Sequence, residues 1–264
     1  MGRATPLVLA AVLIPALALV APRAAMAQDA FEIQVYDAET APAGAVGVEL
    51  HVNHFIVGRR ASEPPELPTD QATHLTLEPH IGIARWCEAG AYIQTAIRGD
   101  GGFDFAGLKL RFKARVPHRL AGVVGLALNQ ELSSVPAEYE ANRFAYEIRP
   151  IVDARWKRLY AAVNPIVAID IGGPLAGHAQ FQPAAKAAVR VTDSLWLGPE
   201  YYAALGPIDA PAARHDQVHR LFGTLDFDHR WDKVRLGVNA GVGYGFEAGE
   251  RWIAKLIGGV EVER

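Results

Sequence analysis

The sequence is short of the features that mark a disulfide-stapled secreted protein, a helical membrane protein or a nucleic-acid binder. Its single cysteine, Cys87, excludes an internal disulfide, and no histidine or base pattern beside it marks a reactive thiol. Charge of one sign is also missing: 26 Lys plus Arg stand against 29 Asp plus Glu, so no basic face is available for nucleic acid. Beyond residue 27 no apolar run reaches the eighteen or so residues of a membrane helix. Serines are few (Ser62, Ser133, Ser134 and Ser194), and none lies in a G-x-S-x-G turn.

What is present begins with an export signal. Arg3 precedes an apolar run from Leu7 to Ala21, broken only by Pro15, and Ala25-Met26-Ala27 supplies a small-x-small exit. This is the pattern of a cleaved signal peptide over residues 1–27, with Gln28 as the new N-terminus. The run is shorter than the roughly twenty residues a spanning helix needs. An exported chain without disulfides points to the envelope of a Gram-negative bacterium.

Residues 28–44 are polar and weakly patterned, and their place before the first strand would let them fold into a lumen as a partial plug. From residue 45 to 264 the chain alternates with period two. Leu108, Leu110, Phe112 and Ala114 interleave with Lys109, Arg111, Lys113 and Arg115; Leu75, Leu77, Ile81 and Ile83 with His74, Thr76, Glu78 and His80. Period two over ten or so residues means strand. Strands are expected at 45–57, 73–84, 89–98, 103–116, 119–131, 142–154, 158–170, 181–192, 194–205, 216–229, 232–245 and 251–262. At ten to fourteen or so residues each, they are long enough to cross a bilayer at a tilt. Tight turns at 85–88, 117–118, 155–157, 193 and 230–231 alternate with longer links, such as 58–72, 132–141, 171–180 and 206–215. Trp86, Trp156, Trp196, Trp231, Trp252, Phe103, Phe144 and Phe181 cluster at strand ends, as in interfacial girdles. Together these predict an all-β, transmembrane, antiparallel up-and-down barrel of about twelve strands in the bacterial outer membrane. Its short turns would be periplasmic, and its partners would be outer-membrane lipids and the barrel-assembly machinery. Pro79, Pro150, Pro165, Pro183 and Pro199 fall inside strands, where bulges are expected.

In such a barrel the apolar phase faces lipid and the polar phase the interior. The pore-lining set is therefore Glu49, His51, Glu78, His80, Lys109, Arg111, Lys113, Arg115, Glu147, Arg149, Lys186, Arg190, Glu200, Asp226, Asp228 and Arg235. Symmetric closure of the links sets Glu49 against His80, His51 against Glu78, Lys186 against Glu200, and Asp228 against Arg235. The Lys109–Arg115 ladder has no acidic ladder on its neighbouring strands and reads either as balanced across the lumen or as an electropositive, anion-favouring stripe. Glu49, His51, Glu78 and His80 have metal-ligand chemistry, but acid–histidine pairing accounts for them, and neither metal nor cofactor is expected.

The stretches Glu32-Ile33-Gln34-Val35-Tyr36-Asp37, Tyr146-Glu147-Ile148-Arg149-Pro150-Ile151, Asn164-Pro165-Ile166 and Gly198-Pro199-Glu200-Tyr201-Tyr202 resemble uncharacterised proteobacterial outer-membrane β-barrel proteins. Some of these are grouped with transporters of the MetA-pathway of phenol degradation type. The resemblance covers nearly the whole mature chain and implies a barrel and, by association, transport. One departure is the end Val262-Glu263-Arg264, where outer-membrane barrels usually carry an aromatic. The expected function is a narrow channel or transporter for small, anionic or aromatic solutes. The alternatives are a lipid hydrolase using Ser133 or Ser134, or a plugged structural barrel.

Overall fold

The computed structural model describes residues 29–61, 64–140, 143–171 and 176–263; the expected signal peptide lies outside them. The described residues form one antiparallel sheet of 14 segments: β1 (Val46–Val57), β2 (Thr73–Ala84), β3 (Cys87–Ile97), β4 (Phe103–Arg115), β5 (Val124–Ser134), β6 (Phe144–Trp156), β7 (Leu159–Asn164), β8 (Val167–Asp170), β9 (Ala179–Phe181), β10 (Ala184–Arg190), β11 (Leu195–Ala204), β12 (Val218–Trp231), β13 (Val234–Glu247) and β14 (Trp252–Val262). The sheet closes where β1 pairs with β14 from Val46↔Val262 to Val57↔Trp252. Closure pairs β1 and β14 on both sides, as backbone inside lipid requires.

Two of the twelve expected strands are each interrupted once, so fourteen segments make twelve staves. The interruptions fall at Pro165, between β7 and β8, and at Pro183, between β9 and β10, because proline cannot donate to the ladder. Pro79, Pro150 and Pro199 sit within unbroken strands. The fifth strand begins at Val124 rather than 119. Ala121 and Gly122 take positive φ in the preceding turn, and Leu120 N–H donates to the Val124 carbonyl.

Face assignment in β4 depends on one glycine. Gly107, at φ 128°, forms a bulge where the β3 register slips between Gln94↔Gly107 and Thr95↔Phe105. A Cβ there would come within 2.6 Å of the Ser134 carbonyl oxygen. The bulge switches the inward phase, so Ala106 and Lys109 both point inside and Phe105 and Leu108 both point out.

Outward positions carry an exposed apolar belt, including Leu50, Leu77, Ile93, Leu110, Leu132, Val163, Leu197, Leu221, Val242 and Leu256. An exposed apolar surface of this extent marks contact with lipid. Trp86, Trp156 and Trp231 rim the short-turn end, and Phe103, Phe144 and Trp252 rim the long-loop end; all six are exposed. Trp196 is not part of a girdle. It faces inward, packing edge-on against Tyr160 with the Arg190 guanidinium over its ring.

Candidate functional site

The interior is occupied by the chain's own N-terminal segment. Phe31, Glu32, Ile33, Val35, Tyr36, Ala38 and Ala41 are all buried in an extended run that crosses the barrel from the long-loop end to the short-turn end. Phe31 packs near Ala96 and Ala106 and edge-on to His74 and Tyr139. At the other end Gly44 N–H donates to the Gly82 carbonyl, and the chain turns into β1.

An extended strand with no β-neighbour leaves its peptide groups unsatisfied, and here wall side chains bond several of them. Asn164 accepts from Tyr36 N–H (2.7 Å) and donates to the Tyr36 carbonyl (3.0 Å). Asn53 and Thr76 donate to the carbonyls of Ala30 and Phe31. Lys255 donates to Ile33 (2.9 Å), and Asp153 and Glu88 accept from Ala38 and Ala41 N–H. Ile33 and Val35 join Phe55, Ile166, Tyr202, Phe222 and Ile253 in an apolar core inside the barrel.

The same segment supplies acid to the basic ladder. Lys109 pairs with Asp29 and lies 3.8 Å from Glu131. Arg111 meets Glu78 at 2.8 Å and Glu88 at 2.6 Å. Lys113 meets Asp37 at 3.5 Å, and Arg115 pairs with Glu39. Across the lumen Arg149 holds Glu32 at 2.9 Å and Glu147 at 2.8 Å. The stripe is thus not unpaired. Asp29, Glu32, Asp37 and Glu39 lie in a segment that precedes the strands, so comparing β4 only with its neighbouring strands misses them. Tyr36 lies at the centre of this arrangement: Arg149, Lys113 and Arg111 approach its ring at 4.3, 5.3 and 5.9 Å, and its hydroxyl bonds to that of Tyr92.

Lys186 and Glu200 pair directly, as symmetry set them, at 2.8 Å. Two other registers move by two residues. Glu49 faces Glu78 rather than His80, and Asp228 faces Gly237 rather than Arg235. A slip of two keeps every residue on its face, and diagonal reach restores the contacts: His51 Nε2 lies 3.1 Å from Glu78 and Arg235 lies 2.5 Å from Asp228. His80 turns to Glu261 at 3.7 Å. Asp226 accepts from Lys186 at 2.5 Å.

A cavity of about 400 Å³ remains at the short-turn end, lined among others by Asp37, Glu49, Lys113, Asp226, Asp228 and Arg235. Towards the long-loop end lie the interior core and a polar cluster in which Glu250 accepts from the fully buried Arg220 (2.5 Å), from Arg59 and from Thr69. Burial alone would raise the Glu250 pKa, but the Arg220 and Arg59 charges bring it down to about 2. A depressed carboxylate stabilises the fold above its unfolded pKa and loses that contribution as pH falls through the folded value. Stability should therefore decline between about pH 4.5 and 2. The Glu250→Gln variant should lack that component and be weaker at pH 7 by about 3 kcal/mol, measured by urea unfolding in vesicles at stepped pH.

Ser133 donates to the Ala145 carbonyl, and among the described residues neither it nor Ser134 bonds a histidine. A Ser–His hydrogen bond, Ser194 to His229 at 3.1 Å, is at the short-turn end.

No family model matches the sequence, and no curated protein matches it. Solved structures do. The COG4313 outer membrane channel from Pseudomonas putida F1 is similar with a TM-score of 0.56 at 11% identity, covering 88% of this chain and 99% of that one. The chain folds as an outer-membrane β-barrel. The KdgM porin is similar with a TM-score of 0.52 at 9% identity, over 83% of this chain and 99% of its own. The same porin in complex with disordered oligogalacturonate gives a TM-score of 0.51. At these identities the likeness is one of fold, and it agrees with the closed wall and its apolar belt.

Proposed function

We propose that this protein is an outer-membrane channel for small solutes, exported by a signal peptide over residues 1–27 and held closed by residues 29–44. The observation that carries the reading is the interior segment itself, fixed by hydrogen bonds and ion pairs to the wall and not paired into the sheet. Up to its Gly44 anchor on Gly82, such a segment can leave without breaking the pairing between strands. When it leaves, Lys109, Lys113, Arg115 and Arg149 each lose a carboxylate, and one wall of the lumen turns electropositive. The favoured cargo is therefore a small anion. The cations around the Tyr36 ring also suit an aromatic acid, in keeping with the resemblance to transporters of the MetA-pathway type.

Tyr36→Ala removes the ring that these cations hold and should raise the open fraction. Planar-bilayer recordings of the mature chain should show rare openings, and the variant on the order of tenfold more, because several cation–π attractions vanish with the ring. The absence of current from both would favour a structural barrel.

A further inference from the structure

We infer that the inner mouth of the lumen carries a binding site for a divalent transition metal of the zinc type, built from Glu49, His51 and Glu78. The β1–β2 register sets Glu49 directly opposite Glu78, a like-charge cross-strand pair that is unfavourable by itself. His51 lies two residues along the same face, with Nε2 at 3.1 Å from Glu78 and 3.6 Å from Glu49. One ligand atom from each of the three lies within 4.8 Å of the others. Two carboxylate oxygens and one imidazole nitrogen are a donor set that suits zinc, with a further position for water or another ligand.

Access and support are also in place. His51 and Glu78 are buried, whereas Glu49 opens on the 400 Å³ cavity together with His80 and Glu261. That second acid–histidine pair keeps unsatisfied buried atoms, His80 Nδ1 and Glu261 Oε1, so it can turn towards a cation without breaking an existing bond at either atom. Glycines make the room. A Cβ at Gly47 would collide with the His80 imidazole, and one at Gly259 would lie 2.8 Å from Glu49 Cγ. On the far side Arg111 holds the other oxygen of Glu78 at 2.8 Å, which orients that carboxylate as an outer-shell partner does. The competing arrangement is a protonated His51 bridging both acids, which needs no metal.

Titration calorimetry of the refolded mature protein in detergent separates the two. Zn²⁺ should bind saturably at one site per chain, and Co²⁺ at the same site should give the absorption of a low-coordinate ion. Glu49→Gln, which relieves the like-charge pair and so should fold, and His51→Gln should each weaken Zn²⁺ about tenfold or more. Ca²⁺ should not compete. The inference is overturned if no one-to-one Zn²⁺ binding is seen, if either variant binds as the parent does, or if Ca²⁺ displaces the ion. Far-UV circular dichroism of each variant shows whether a loss of binding is a loss of fold; if His51→Gln is misfolded, Glu49→Gln alone decides.

Discussion

Deleting residues 29–42 should turn a closed barrel into a conducting, anion-preferring one. The segment fills the lumen from Phe31 at one end to Ala41 at the other, yet it contributes nothing to the pairing between staves. Losing it costs the burial of its apolar side chains, roughly 1.5–3 kcal/mol for each large one. The closed hydrogen-bonded wall and its lipid belt remain, so the wall should survive while the lumen opens. A twelve-stave barrel lies between side-chain-filled small barrels and open porins, and without the segment its interior holds water. Bilayer current should rise on the order of tenfold or more, with the reversal potential in a salt gradient shifted towards the anion. Changing Lys109, Arg111 and Lys113 to Gln in the deletion background should bring that potential back towards zero. A deletion protein that keeps its β signature but passes no current, or that prefers cations, would remove the basis for a plugged anion channel.

The wall is legible in the sequence because lipid imposes a simple rule on it. Leu108, Leu110 and Phe112 must face out, so Lys109, Arg111 and Lys113 must face in, and an even slip of register leaves that division untouched. Glu49 and Asp228 show this: both meet different residues from those that symmetry sets opposite them, and both stay on the expected face. The interior is harder to read. Where the N-terminal segment packs against the wall, inward positions can be apolar, as Phe55, Tyr202, Phe222 and Ile253 are, and period two no longer separates polar from apolar there. Trp196 resembles a girdle residue for the same reason: its place near a strand end is visible in the sequence, whereas its inward direction is masked by an apolar side chain on an interior position. A sign of the interior strand is present all the same. Asp29, Glu32, Asp37 and Glu39 are four acids in a segment with no strand pattern, and the four cations of the ladder on β4 face only single acids, Glu88 and Glu131, on the adjacent strands. Charge balance can join them; local periodicity cannot.

The second large effect is expected at Glu200. It is buried between two lysines, pairing with Lys255 and lying 2.8 Å from Lys186, and it also accepts from the Tyr202 hydroxyl at 2.6 Å and from Asn239. Lys186 keeps Asp226 if Glu200 is lost. Among the described residues Lys255 keeps the Tyr202 hydroxyl and the Ile33 carbonyl as hydrogen-bond partners, and its charge is left without a directly paired carboxylate beside the apolar core. Breaking a buried pair from one side costs about 3–5 kcal/mol, whereas replacing both members by apolar groups is often neutral. Glu200→Ala should therefore lower the urea midpoint of the vesicle-embedded barrel by the equivalent of about 3–5 kcal/mol, and Glu200→Leu with Lys255→Met should recover most of it. The same lysine anchors the interior segment through Ile33, so the two variants separate wall from gate. The double variant restores the wall but cannot restore the anchor, and it should open more often than the parent even as its unfolding midpoint returns. If the single variant unfolds with the parent, Lys255 does not depend on Glu200 for its charge balance, and the lumen is not held together at its most buried ion pair.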